Sequence, residues 1–349
     1  MLQQLRTKNW YVTLTNWEYW PWYIANIPVF GFVLWFAFKA RKLFFFSAVN
    51  PAIETGGVLG ESKIDILSAI PAAYVPLTLF FKRETSFEAV IQEMGKNNLE
   101  FPVVAKPNVG ERGFLVSKIE SSATLKNYME ENKVDFLIQE FVPGPLEMSI
   151  LHYLPPGQQK GKTTSICIKN FLEVTGDGVS NVRSLMLQNP RAKLQVERFE
   201  SEFPDVLFEI PPKGKSVLLE PIGNHCRGTT FLSGNHLIDN AVTAVFDDVM
   251  AQMKDIHYGR FDLRCTTVEA LRQGQFKVME FNGIAAEPAH IYDPSIPVSK
   301  KYRIIYEHWR FIYDLYLQQK ARGKKPMTFA EAMESYRKYS AYKKAALKD

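Results

Sequence analysis

Two short segments constrain this chain more than any others: Gly-Arg-Phe-Asp-Leu-Arg at 259–264 and Val-Met-Glu-Phe-Asn at 278–282. Read as strands, they send alternate side chains to opposite faces, so Glu280 and Asn282 share one face. With Asp262 on the neighbouring strand, three oxygen-bearing side chains converge. Carboxylate and amide oxygens are what Mg²⁺ takes, usually together with substrate phosphates. Arg260, two residues before Asp262, shares its face. A cation beside a magnesium site suits an anion that develops during a reaction. The set points to an enzyme that uses a nucleotide. The plainer alternative is a pair of strands with solvated surface charges.

At 349 residues the chain can bury a large core and should hold two or three subdomains. Cys167, Cys226 and Cys265 stand apart with no C-x-x-C pair. That argues against a disulfide framework or a structural zinc site and for a reducing, cytoplasmic setting. The net charge of +5 is uneven. Residues 320–349 carry nine Lys/Arg against three acids, and residues 1–50 carry five against one, so the body between them is acidic. Basic ends suit an anionic membrane surface or nucleic acid.

The N-terminal segment favours the membrane over nucleic acid. From Tyr19 to Phe38 there is no charged residue for 20 positions, and Lys39, Arg41 and Lys42 follow. Pro21, Asn26, Pro28 and Gly31 interrupt the stretch, and Trp20, Trp22, Tyr23 and Trp35 are residues of the membrane interface. The segment reads as an interfacial or re-entrant anchor, peripheral at the inner face of a membrane, or as an aromatic segment packed on the protein body. It has no signal-peptide cleavage pattern. The basic tail is solvated, docked on the acidic body, or joined to the N-terminus at the membrane.

Between these ends, turn formers make 43–62 a loop, and a short helix follows over 63–74. Helical spacing predicts helices over 85–98, with Ser86 as cap, and over 122–132, 183–189, 236–257 and most of 300–342. Strands are predicted at 101–105, 114–117, 136–141, 147–153 and 165–171. Residues 172–182 read as a turn around Thr175-Gly-Asp-Gly178.

No G-x-x-x-x-G-K-[ST] and no G-x-G-x-x-G occurs, which disfavours P-loop and dinucleotide folds. Instead an ordered set runs through the chain: Pro-Val-Val-Ala-Lys-Pro at 102–107, a glycine-bearing loop, Gln-Glu-Phe-Val at 139–142, Gly259-Arg260-x-Asp262 and Glu280-x-Asn282. Over about residues 60–295 this set resembles the ATP-grasp superfamily, most like D-alanine–D-alanine ligase and related carboxylate–amine ligases.

The resemblance implies an α+β fold in which two α+β subdomains clamp ATP. The catalytic domain would cover 61–295, with the small subdomain at about 75–140. An aromatic and basic segment (1–60) would precede it, and a helical basic tail (296–349) would follow. The resemblance also implies roles. Lys63 and Lys106 meet the phosphates. Gln139, Glu140, Phe141 and Val142 form the hinge that reads adenine, and Glu147 holds the ribose. Asp262, Glu280 and Asn282 hold Mg²⁺, with Mn²⁺ as an alternative, and Arg260 stabilises the reacting centre. Gly176-Asp177-Gly178 is either a loop near the nucleotide, as in cyanophycin-synthetase-like members, or a plain turn.

The chain departs from the pattern before and after this core. About 60 residues precede Lys63 where relatives carry a longer Rossmann-like domain, which puts a D-alanine substrate in doubt. Glu287 and His290 follow the metal ligands and face an amino substrate or form a structural cap. His225 and Arg227, in a polar loop, are candidate substrate contacts. The expected activity is ATP- and Mg-dependent ligation of a small-molecule carboxylate to an amine through an acyl-phosphate. The alternative is a membrane-docked, non-catalytic nucleotide-binding scaffold.

Overall fold

Two antiparallel sheets organise the protein in the computed structural model, which describes residues 17–110, 115–220, 223 and 228–347. The smaller contains β1 (Thr78–Phe81), β2 (Val103–Pro107), β3 (Ser117–Ile119) and β4 (Phe136–Glu140) in the order β1-β4-β2-β3. Strand alternation sends Phe81, Val103, Ala105, Phe136 and Ile138 to one face. There they pack on Val90 and Met94 of helix Phe87–Lys96 and on Leu125 and Tyr128 of helix Ser122–Glu131. Ser86 caps the first helix as expected, accepting from the Ala89 N–H at 3.2 Å. The other face carries Thr78, Val104, Lys106, Leu137 and Gln139, aligned across the strands.

The larger sheet uses β5 (Leu146–Tyr153) and β6 (Lys162–Asn170), then, beyond the separate pair β7 (Leu172–Thr175) and β8 (Ser216–Glu220), β9 (Thr230–Ser233), β10 (Tyr258–Cys265) and β11 (Phe276–Asn282). Its order is β11-β10-β5-β6-β9. Met148, Ile150, Ile166, Phe261, Leu263, Val278 and Phe281 form its apolar face. Val242, Phe246, Val249 and Met250 of helix Asn240–Gln252 cover that face. Each such side chain contributes about 1.5–3 kcal/mol by leaving water. Gly259 is required in this layer: a Cβ there would lie 2.1 Å from the Phe281 ring. The helix is shorter than the 236–257 read from spacing, because Asp239 caps it by accepting from the Val242 N–H at 2.9 Å.

The fold class is α+β, as expected. Residues 141–145 carry the chain from the small sheet to the large one. The segment 172–182, with its turn signal at Thr175–Gly178, begins with a strand, β7, whose partner β8 is too distant in sequence to be seen locally. A turn does follow, with Asp177 Oδ1 accepting from the N–H groups of Val179 and Ser180 at 2.8 and 2.6 Å. The β7–β8 pair and helices Val182–Gln188 and Val196–Glu202 enclose a separate small core around Met186 and Phe199.

The N-terminal and C-terminal helices meet on the face of the large sheet that carries Leu151 and Tyr258. Helix Ile27–Ala40 lies along helix Val298–Ala321, with Phe36, Ala37 and Ala40 among the residues that share a core with Ile312, Leu315 and Tyr316. Among the described residues no helix is long and apolar enough to cross a membrane. The tail is mostly helical, as expected, and forms two helices, interrupted after Ala321 where Gly323 adopts φ +81° and Pro326 follows. Its second helix, Phe329–Ala346, touches the body: Tyr342 accepts from the Val109 N–H, and Ser335 donates to Glu54.

Candidate active site between the two sheets

The large sheet buries charge on the face opposite its apolar core. Register places Glu280 across from Asp262, and Asn282 across from Arg260. On the other side of β10, Ser149 stands opposite Asp262 and Glu147 opposite Arg264. On β6, Cys167 and Lys169 continue the same two rows. The four residues proposed from the sequence for the reacting end, Arg260, Asp262, Glu280 and Asn282, therefore share one face on adjacent strands.

Asp262 is the centre of this face. Arg260 approaches it through Nε–Oδ1 at 3.2 Å and Nη2–Oδ2 at 3.3 Å. Ser149 Oγ donates to Oδ1, the Asn282 amide donates to Oδ2 at 3.3 Å, and Lys169 Nζ stands 3.9 Å away. Burial alone would raise its pKa, but Arg260 and Lys169 outweigh burial and hold the carboxyl below the usual range. The same pairing keeps Arg260 and Lys169 protonated against burial. A charge buried this deeply is tolerable only because it is paired and hydrogen-bonded.

Lys106 joins the two sheets. Its Nζ donates to Gln139 Oε1 and to the Met279 carbonyl, each at 2.9 Å. Met279 is the extra residue of a bulge, where the register slips between Asp262–Glu280 and Leu263–Val278. Burial lowers the Lys106 pKa to about 8, with Glu280 opposing the shift and Lys63 adding to it. Gln139 is oriented from its other end, donating to Thr78 Oγ1 at 2.9 Å. Lys63 opens helix Lys63–Ala69 and donates from Nζ to the Gly110 carbonyl, which holds it at the glycine-bearing loop.

The remaining expected residues lie around this centre. Glu140 is exposed and accepts from the Leu77 N–H at 3.1 Å. Beside it a groove opens, lined by Ile64, Leu67, Leu77, Thr78 and Lys277. Phe141 lies under Lys118 and Arg264, 4.9 and 5.5 Å from its ring centroid. The Val142 carbonyl accepts from Arg264 Nη1 at 3.1 Å. Both oxygens of Glu147 are engaged by cations, Lys169 at 3.0 Å and Arg264 at 2.9 Å.

The segment after Asn282 folds back over Arg260. Glu287 accepts from Arg260 through its backbone carbonyl at 3.3 Å, while its carboxylate accepts from Tyr292. His290 is buried against Ser165 Oγ at 2.7 Å. Burial and the nearby Lys300 push its pKa down to about 4, so it is neutral at pH 7. His225 and Arg227 lie outside the described residues. Ser149, Lys169 and Arg264 were missed from the sequence, although all belong to strands. The available signal was alternation: a Lys, an Arg and a Ser each recur two residues from a residue of the inward polar row.

The donor set fits a hard divalent cation: two carboxylates and an amide on one face, with no thiolate or imidazole among them. Among the described residues no group of three or more His, Cys, Asp and Glu stands ready for a metal, so such an ion would need substrate oxygens to complete its shell.

No family model and no curated protein matches the sequence. Similar solved structures include the VanG D-Ala:D-Ser ligase of Enterococcus faecalis, at 13% identity over 71% of this chain and 61% of that one, TM-score 0.41. A bifunctional glutathione synthetase of Pasteurella multocida is 14% identical over 70% of this chain and 36% of that one, TM-score 0.38. The D-alanine–D-alanine ligase of Bacillus anthracis is 14% identical over 75% and 67%, TM-score 0.38. This chain thus spans 61% and 36% of the first two proteins. Overlap this loose leaves the site to be read from this chain's own residues.

Proposed function

We propose that the protein is an ATP-grasp ligase that joins a small-molecule carboxylate to an amine through an acyl-phosphate. The observation that carries this reading is the convergence of Lys106 on the small sheet with Arg260, Asp262 and Glu280 on the large one, where the two sheets meet. Buried cations facing carboxylates across a cleft are suited to polyphosphate and metal together.

In this mechanism Lys106 and Lys63 bind the phosphate oxygens, and Gln139 through Val142 border the base. Glu147 is the ribose partner, which requires one of its two cations to yield. Asp262, Glu280 and Asn282 would hold Mg²⁺ or Mn²⁺, which supplies charge neutralisation on the phosphate oxygens. The acceptor carboxylate oxygen attacks the γ-phosphorus, and ADP leaves. The amine nitrogen then attacks the acyl carbon, the C–O bond to phosphate breaks, and inorganic phosphate departs with the amine losing a proton. Arg260 is placed to stabilise the negative charge that develops at both centres. Glu287 stands beside Arg260 for an amino substrate. His290, neutral and buried, acts from behind the site as a support.

The reaction is cytoplasmic in this reading, with the protein peripheral at the inner face of an anionic membrane on the strength of its aromatic and basic N-terminal segment. The test is ADP release over a matrix of carboxylates and amines, followed by mass spectrometry of the product. Release that depends on one member of each class is expected. Nucleotide binding without ADP release under any pairing would leave a non-catalytic scaffold.

A further inference from the structure

Helix Ile27–Ala40 breaks the ordinary rule for a surface helix. A helix packed on a body shows one apolar stripe inward and polar residues outward. This one is apolar on its inner and outer sides, with Lys39 in its last turn as its one charged residue. Val29, Phe36, Ala37 and Ala40 are buried. Ile27, Phe30, Leu34 and Phe38 recur at spacings of three and four on the other side, 65, 49, 59 and 77% exposed. Trp35, 53% exposed, flanks them, and Trp22 and Tyr23 extend the patch at its N-terminal end, 55 and 66% exposed. Side chains of this size in one row form a patch that soluble surfaces rarely carry without a partner.

Charge identifies the partner. Between Glu18 and Glu54 the chain has no acidic residue, and its only charges are Lys39, Arg41 and Lys42. Lys39 is held over the Tyr313 ring at 5.0 Å, while Arg41 and Lys42 are exposed just past the helix end. A second copy docked through this face would bring its own cations with no carboxylate among residues 19–53 to meet them. An anionic lipid surface supplies both an apolar layer for the aromatic row and negative headgroups for the cations.

We propose that Ile27, Phe30, Leu34, Trp35 and Phe38 insert into the headgroup–acyl boundary of an anionic membrane, with Arg41 and Lys42 on its headgroups. This deepens the peripheral placement above by naming the inserting surface. It requires no span, because the inner side of the helix stays packed on Ile312, Leu315 and Tyr316. The rigid packing also gives orientation: helix Val298–Ala321 is held to the site-covering segment by Lys301, which donates to the Ile291 and Asp293 carbonyls. Membrane docking therefore holds the cleft at a set orientation to the lipid surface.

The test is co-sedimentation of the full chain with phosphatidylcholine vesicles and with vesicles containing phosphatidylglycerol, at low and physiological salt. Wild type is expected to partition onto the anionic vesicles. Leu34→Gln/Phe38→Gln, on exposed positions, is expected to lose at least tenfold in partitioning with an unchanged melting temperature. Arg41→Gln/Lys42→Gln is expected to lose about 25-fold on anionic vesicles, at roughly fivefold per cation. The proposal is overturned if wild type does not bind anionic vesicles or if the Gln variants bind as wild type does. It is also overturned if sedimentation velocity shows a dimer that Leu34→Gln/Phe38→Gln dissociates. ADP release in vesicle-free buffer is measured on the same samples, so loss of docking and failure of the ligase reading register separately.

Discussion

The cleft and the N-terminal helix invert the same rule in opposite directions. In the cleft, Lys106, Glu147, Lys169 and Asp262 are buried charges. On helix Ile27–Ala40, Phe30, Leu34, Trp35 and Phe38 are exposed hydrophobes. Each departure costs free energy in the isolated chain, and each is compensated differently. Glu147, Lys169 and Asp262 are compensated by ion pairs inside the fold, and Lys106 by hydrogen bonds to Gln139 and the Met279 carbonyl. Among the described residues the exposed row has no such compensation, and an anionic membrane surface is the partner proposed for it. A buried polar cluster and an exposed apolar patch are thus both informative, the first about chemistry and the second about location.

The comparison breaks most sharply at Glu280. Glu280→Gln keeps shape but removes the charge, and turnover measured by ADP release should fall by about a thousandfold or more. Retained activity would remove the metal assignment and leave the cleft charges purely structural.

The next largest effect belongs to the sheet's other face. Phe246→Ala should cost about 3–5 kcal/mol of unfolding free energy in a denaturant titration, since Phe246 is fully buried against Phe261 and Phe276. It should leave the nucleotide affinity of the surviving folded protein near wild type. A large affinity loss would show that the two faces are not independent.

Lys106 gives a smaller, pH-dependent effect. Its pKa of about 8 lies below the ordinary lysine value, so folding disfavours the protonated form. The resulting cost is complete below pH 8 and is relieved as pH rises from about 8 towards the unfolded value of about 10.4. A bound polyphosphate favours the protonated form, so binding takes up a proton. Nucleotide affinity should then fall as pH rises through 8, by roughly tenfold per unit above it until the complex's own pKa is reached. Lys106→Met should abolish this slope, and calorimetry in buffers of different ionisation enthalpy reads the proton uptake directly.

The smallest change is expected at the surface. Lys82 pairs with Asp135 at 3.1 Å with its side chain 67% exposed. Lys82→Ala should change stability by less than about 1 kcal/mol. A larger loss would mean that exposed pairs contribute more here than the cleft comparison assumes.

Much of the core was legible in the sequence because it rests on local periodicity. The β10 and β11 strands, the helices near 87–96 and 122–131 and the shared face of Asp262, Glu280 and Asn282 follow from spacings of two and of three to four residues. The elements that were not legible depend on distant partners. β7 exists because β8 pairs with it, and helix Ile27–Ala40 lies where helix Val298–Ala321 receives it. Likewise Lys169 looks in sequence like an ordinary strand residue. Only the register of β6 on β5, and of β5 on β10, brings it to Glu147 and Asp262.

By itself the sequence determined which residues share a strand face and which chemistry that face carries, because side-chain direction along a strand is fixed by backbone geometry. Tertiary structure alone decided which sheet Lys106 would reach and which carboxylates would be paired. It also decided which side of the aromatic helix would be left in water. Those outcomes depend on burial and on distances between residues far apart in the chain, and neither is encoded in local spacing.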